Sequence, residues 1–123
     1  MSHQDAVVWY LRVEHEQVNA VSVLTVAGRV SSLTSPDLGR ALASALASPA
    51  RGLVLDLSGV DYISSPGLRA VEHAKTRLAE QGRAFVVCGL RDAVSAAFTL
   101  AGLENGLAIE PSRNDAVARA NAR

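Results

Sequence analysis

The residues of this chain that could do chemistry gather in one stretch, Asp56-Leu57-Ser58-Gly59-Val60-Asp61-Tyr62-Ile63-Ser64-Ser65-Pro66-Gly67-Leu68. Two adjacent hydroxyls stand before a proline and a glycine, an order expected where a loop turns into a helix. With Ser65 as N-cap and Pro66 as first helical residue, the proline's missing donor costs nothing, and the amides of Gly67 and Leu68 face the Ser65 side chain. A phosphate on Ser65 would bring about 1.5 to 2 negative charges to the positive end of a helix. Spacing alone favours the structural account, in which the serine only caps the helix, over a regulatory one.

The other reactive residue types support no catalytic chemistry. Asp56 and Asp61 flank the loop, but two carboxylates without a clustered histidine make a poor metal site or acid–base pair. His3, His15 and His73 fall on a terminal segment, a hairpin edge and a wet helix face, so Ser65 has no histidine to activate it as a nucleophile. Gly28 and Gly59 are isolated, and no glycine-rich phosphate loop with its lysine is present, which argues against ATP hydrolysis. The single cysteine, Cys88, lies in the apolar run Ala84-Phe85-Val86-Val87-Cys88 and reads as a small buried hydrophobe. A protein without catalytic activity, cofactor or metal is expected.

Twelve basic and 12 acidic residues cancel, leaving no field that would draw in nucleic acid. The start, Met1-Ser2-His3-Gln4-Asp5, lacks a basic and apolar leader, and no run reaches the roughly 18 apolar residues of a membrane helix, so a cytoplasmic location is expected.

The elements that must position the stretch follow from periodicity. The 123 residues, 49% hydrophobic and 20% charged, suit a single domain over 1–123. Aromatics are 4%, so the core is expected to be Val, Leu and Ala, with Trp9, Phe85 and Phe98 as its large pieces. Residues 7–13 and 20–27 read as antiparallel strands joined across 14–19, and 28–34 as a loop. Ser35-Pro36-Asp37 opens a helix with Leu38, Leu42, Ala45 and Leu46 inward, ended by Pro49. Residues 53–57 read as a strand covered on both faces and 58–64 as a loop. Residues 65–81 read as a helix burying Leu68, Val71, Ala74 and Leu78, with Gly82 as its terminator. Then come a strand at 83–88 and a helix at 91–101 with Val94, Ala97, Phe98 and Ala101 inward, stopped by Gly102. A strand at 106–109 and a helix at 113–120, capped by Ser112 with Asp115, complete the chain. The order β-β-α-β-α-β-α-β-α predicts an α/β fold. Its mixed, mainly parallel sheet of about five strands would carry four helices packed largely on one face, joined by right-handed crossovers.

The run Leu53-Val54-Leu55-Asp56-Leu57-Ser58-Gly59-Val60-Asp61-Tyr62-Ile63-Ser64-Ser65-Pro66-Gly67-Leu68 resembles the signature of STAS domains, whose single-domain members include bacterial anti-sigma factor antagonists. Other landmarks stand in order: Ala27-Gly28-Arg29-Val30, Gly82-Arg83-Ala84-Phe85-Val86-Val87-Cys88-Gly89-Leu90 and Leu100-Ala101-Gly102-Leu103. The likeness spans residues 6–120. It implies a STAS fold and a partner-switching role. The unphosphorylated protein would bind an anti-sigma factor that is also a serine kinase, thereby releasing a sigma factor. Phosphorylation would end that binding and a serine phosphatase restore it. Such a protein makes no direct contact with nucleic acid and is a monomer or weak dimer.

The family motif is Asp-Ser-Ser-Gly or Asp-Ser-Thr-Gly, with its first hydroxyl residue phosphorylated. Aligning its glycine on Gly67 puts that residue at Ser65, with Ser64 as second choice, and implies a partner-binding set of Ser31, Ser64, Ser65, Pro66, Gly67 and Arg69. The chain departs from the pattern in three places. Ser64 stands for the motif aspartate, Pro66 for its second hydroxyl, and Ser31 for the aspartate after the Gly-Arg-Leu landmark. The losses of aspartate remove negative charge from the docking face, which leaves three readings open: altered kinase recognition, modification of Ser64, or a branch that does not switch by phosphorylation. The alternative to the switch is a STAS subunit of a permanent complex, such as a lipid-transport assembly, that is never phosphorylated; a small-molecule sensor is a third reading.

Overall fold

The computed structural model describes residues 11–122. Its five strands lie in one sheet, in the order β1-β2-β3-β4-β5. Strand β1 (Arg12–Val18) runs antiparallel to β2 (Val21–Val30), and β3 (Gly52–Ile63), β4 (Ala84–Cys88) and β5 (Ala108–Glu110) follow parallel to β2. Four helices connect or follow them: α1 (Ser35–Ala47), α2 (Ser65–Glu80), α3 (Asp92–Leu100) and α4 (Arg113–Asn121). This is the element order expected from the sequence.

The hairpin differs in register. Residues 14–18, expected as a connection, are strand, and the turn is confined to Asn19 and Ala20, with Asn19 at φ 57. Asparagine tolerates that left-handed conformation. The glutamates of β1 resemble a loop in sequence because β1 is an edge strand, where charged side chains facing water are normal. The expected strand before Leu11, and with it Trp9, lies outside the described residues.

The central strands are also longer than expected. Residues 28–30 continue β2 and 58–63 continue β3, pairing Ala27 with Gly59, Gly28 with Val60, Arg29 with Tyr62 and Val30 with Ile63. Register shifts between Thr25 and Ala27 and between Gly28 and Arg29 break the alternation of side chains, which hid this part of the sheet from a period-two pattern. A Cβ on Gly59 would lie 2.8 Å from that of Ala27, so only glycine lets the two strands approach this closely.

The three crossover helices α1, α2 and α3 cover one face. There Leu24, Leu38, Leu55, Leu57, Leu78 and Phe98 are fully buried. Helix α4 covers the other face, laying Ala116 and Ala120 on Val21, Val23, Val54, Val86 and Cys88. Strand β3 is thus buried on both faces, as its unbroken apolar run implied. Leu46, Leu68 and Ala97 are only partly buried, and Ala101, the residue after the end of α3 at Leu100, is exposed. Gly82 and Gly102 adopt φ +65 and +71 as helix terminators. Ser112 caps α4 by accepting a bond from the Asp115 amide at 3.2 Å. Gly106, expected to open the last strand, has φ +76 and precedes it instead.

Two further corrections concern helix ends. Thr34, not Ser35, is the N-cap of α1, and its Oγ1 is spent on the loop, donating to the Arg29 carbonyl at 2.6 Å. Arg83, expected as the first residue of β4, instead closes the end of α1. Its guanidinium donates to the carbonyls of Leu46, Ser48 and Ala50 at 2.9, 3.0 and 2.9 Å.

Replacing Arg83 by methionine should therefore leave three carbonyls without a partner and lower stability by about 2 kcal/mol, read as a lower urea midpoint at unchanged slope. Burial pushes the Cys88 thiol up to about 12, reinforced by the Asp56 carboxylate and opposed by Arg113. Its folded value is raised, so this contribution to stability is intact below the unfolded value of 9.0 and is lost as pH rises toward 12. In the native protein iodoacetamide should label Cys88 at least about 100-fold more slowly than in urea at the same mildly alkaline pH.

Candidate functional site

The site forms where the carboxyl ends of β2 and β3 meet the first turn of α2. The Ser64 amide donates to the Val30 carbonyl at 2.7 Å, tying the end of β3 to the end of β2. Ser64 is the N-cap of α2: its Oγ accepts the Gly67 amide at 3.3 Å and its carbonyl accepts the Leu68 amide at 2.9 Å. Ser65 and Pro66 are therefore the first two helical residues. This corrects the expectation that Ser65 caps the helix with the Gly67 and Leu68 amides facing it. Serine and aspartate are equivalent N-caps, so Ser64 keeps the capping bond that the family aspartate would make while omitting its charge.

The two hydroxyls differ in access. Ser64 is 7% exposed and committed to its capping bond, whereas Ser65 is exposed. Gly67 is buried, and a Cβ there would lie 2.7 Å from Val30 Cγ1 and 2.8 Å from Ile63 Cγ1. Only a glycine lets the helix start rest on these two side chains. Pro66 is half-buried and Arg69 is exposed.

Ser31 begins the loop between β2 and α1, and its residue neighbour Val30 holds the Ser64 amide, which puts the two loops side by side. Its amide donates to Thr34 Oγ1 at 2.9 Å, and its Oγ accepts from the amides of Leu33 and Thr34 at 3.2 and 3.3 Å. Ser31 thus shapes the turn, which presents Leu33 to solvent at 71% exposure.

On the other side of Ser65 a cleft of about 200 Å³ opens between α2 and the turn after α3, lined by Ser65, Leu68, Arg69, Glu72, Ala101 and Leu103. Leu100, at the end of α3, is 89% exposed. The Arg29 guanidinium lies 4.1 Å from the centre of the Tyr62 ring, and Arg91 Nε donates to the Ser58 carbonyl at 2.8 Å. Sequence reasoning missed Leu33, Leu100 and the Arg29–Tyr62 pair. The register that sets Arg29 beside Tyr62 depends on the shifts between β2 and β3, whereas Leu100 is exposed because it lies off the helical stripe of Val94, Ala97 and Phe98.

The remaining candidates stay apart. Asp56 is buried and accepts the Ser58 amide at 3.0 Å, while Asp61 is exposed. Among the described residues no three His, Cys, Asp or Glu side chains gather as metal ligands would. His15 and His73 are exposed on β1 and α2, and His3 lies outside the described residues. A larger hollow of about 500 Å³ lies toward the other end of α2, lined by Lys75, Arg83, Phe85 and Arg119 among others. Its cations are engaged: Lys75 with the Asn105 carbonyl, Arg83 with the end of α1, and Arg119 with Glu110. Around the start of α2 the exposed groups thus include the Ser65 hydroxyl and the Arg69 side chain.

The fold recurs in proteins of known structure. The Bordetella bronchiseptica protein BtrV, described as a candidate anti-sigma factor antagonist, is 29% identical over 108 residues, covering 88% of this chain and 93% of its own. The crystal structure of an anti-sigma factor antagonist from Mycobacterium paratuberculosis superposes with a TM-score of 0.85 at 26% identity, over 92% of this chain and 96% of that one. The anti-sigma factor antagonist SpoIIAA shares the fold in its unphosphorylated form, with a TM-score of 0.71 at 12% identity over 91% of this chain and 100% of that one. Its phosphorylated form, from Bacillus, gives 0.68 at 14% over 88% and 98%. The STAS domain matches residues 12–116, nearly the whole of the sheet and its helices, and the chain belongs to the STAS domain family.

Proposed function

We propose that this protein is an anti-sigma factor antagonist that works by docking, with Ser65 as its phosphorylation switch. The observation that carries the reading is the division of labour between the two hydroxyls: Ser64 is buried and caps α2, and Ser65 stands exposed one residue further on. The family to which the chain belongs and its similarity to two proteins described as anti-sigma factor antagonists support the same role.

In this reading the unphosphorylated protein covers part of an anti-sigma factor with the start of α2 and the loop of Ser31. Ser65, Pro66 and Arg69 supply direct contacts, while Ser64, Gly67 and Ser31 set the shape beneath them. The partner is itself a serine kinase. It transfers the terminal phosphoryl group of ATP to Ser65 Oγ, which gives up its proton as ADP leaves. The product carries about 1.5 to 2 negative charges where a neutral hydroxyl had been, and docking over it then costs desolvation and repulsion. A phosphatase hydrolyses the ester and restores binding. All the covalent chemistry belongs to the partners, and this protein is a non-catalytic component acting in the cytoplasm. No helix of the described residues is long and apolar enough to cross a membrane.

Nothing in the switch requires the fold to change. SpoIIAA keeps this fold in its phosphorylated form. The effect is confined to charge and shape at the surface, and binding changes because the partner has different affinities for the two forms.

Incubation with ATP and the serine-kinase anti-sigma factors of the source organism should place one phosphate on Ser65, located by mass spectrometry, and abolish kinase binding. Ser65→Ala should bind persistently and take up no phosphate. Stable binding to another protein, with no phosphate from any of these kinases, would instead identify a permanent subunit. Ser64→Ala should lower stability by about 1 kcal/mol through the lost cap, and Ser64→Asp should restore it; neither change should move the phosphate from Ser65.

A further inference from the structure

A phosphate on Ser65 needs countercharge, and the first turn of α2 has few amides left to give. Pro66 has no N–H, the Gly67 amide is donated to Ser64 Oγ, and the Leu68 amide to the Ser64 carbonyl. Side chains must supply the rest. Arg69 stands four residues beyond Ser65 on the same helix, the spacing at which side chains meet, and both residues line the cleft between α2 and the turn after α3.

Arg69 is also uncommitted. It is exposed and makes no ion pair or side-chain hydrogen bond among the described residues. The other arginines at this end of the sheet are engaged, Arg29 over the Tyr62 ring and Arg91 on the Ser58 carbonyl. Across the cleft the turn contributes Ala101 and Leu103, which carry no charge, and Glu104 beyond them accepts a bond from Thr99 Oγ1. Glu72 lines the same cleft and competes for Arg69, but a phosphate presents more charge and more acceptor oxygens than one carboxylate.

We propose that Arg69 is the phosphate clamp of this protein: on modification of Ser65 its guanidinium turns onto the phosphate along the helix and leaves the docking surface. The inference rests on the reading that Ser65 is the acceptor. One modification then removes two contacts from the partner, the bare hydroxyl and the free arginine, and lays a phosphate–guanidinium pair over the mouth of the apolar cleft. A phosphatase must displace Arg69 to reach the ester. Arg69 acts on the switch as a positioning residue, since the transferred phosphoryl group comes from the kinase.

The test installs phosphoserine at position 65 by genetic-code expansion, which needs no kinase, and follows the second phosphate ionisation by phosphorus NMR. That ionisation lies near ~6 in an exposed phosphoserine. The Arg69→Gln protein should show it about half a unit higher than the otherwise unaltered phosphoprotein, the size expected for one exposed ion pair. Arg69→Lys should recover part of the difference, Glu72→Gln should lower the ionisation further, and urea should abolish the contrast between arginine and glutamine. A merely structural arginine would leave the ionisation the same in the arginine, lysine and glutamine proteins. An ionisation unchanged by Arg69→Gln overturns the clamp and leaves the switch standing. Failure of the kinases to phosphorylate Ser65 in the native chain overturns the switch, through a measurement independent of the clamp.

Discussion

The arrangement of the site depends on one close contact, the first turn of α2 resting directly on the ends of β2 and β3. A Cβ on Gly67 would come within 2.8 Å or less of both Val30 and Ile63, and the adjacent Ser64 amide is held by the Val30 carbonyl. Backbone and side-chain packing therefore fix the same few residues from two directions. A helix seated this tightly cannot roll to exchange Ser64 for Ser65. The buried hydroxyl stays with the Gly67 amide, and the next residue around the helix is turned to solvent. The separation of a structural serine from an accessible one is a consequence of packing, and it needs no special chemistry at either hydroxyl.

The same contact explains how much of the molecule was legible in the sequence. Elements whose residues follow one period were readable, since α2 buries Val71, Ala74 and Leu78 in a regular stripe and β3 begins with an unbroken apolar run. The STAS likeness was readable because its landmarks include glycines with steric roles, among them Gly59 and Gly67. What escaped was whatever depends on a neighbour in space. The ends of β2 and β3 looked like loops because bulges interrupt their alternation and because Ser58, Asp61 and Tyr62 face water at the tip of the sheet. The cap of α2 was placed one residue late, because proline is at home in either of the first two helical positions and Ser64 and Ser65 are chemically identical. What distinguishes them is the tertiary setting: the Val30–Ser64 bond joins residues far apart in sequence, and Gly67 packs on Val30 and Ile63.

Both faces of the sheet are given over to packing. The large apolar core lies beneath α1, α2 and α3, where Phe98 and the leucines are buried. Helix α4 covers the opposite face with alanines over valines, and burial there holds Cys88 as an inert thiol. The proposed docking surface lies apart from both, on the rim at the carboxyl ends of β2 and β3, where a sheet with helix crossovers has free loops and helix starts and where side chains can change without disturbing either core. Leu33 and Leu100 can be exposed on this rim because nothing beneath them depends on their burial.

The departures from the family motif form a coherent electrostatic set when placed on this rim. Serine in place of the motif aspartate keeps the cap but removes a negative charge beside the exposed hydroxyl, and proline in place of the second hydroxyl removes an amide donor from the helix start. The first change lowers the cost of adding a phosphate at Ser65; the second reduces what the backbone can offer to hold it. With the Gly67 and Leu68 amides already taken by Ser64, the local balance of charge passes from the helix backbone to its side chains. On the cleft beside Ser65 the charged side chains are Arg69 and Glu72 alone. A switch built this way would be tuned by residues that lie outside the motif.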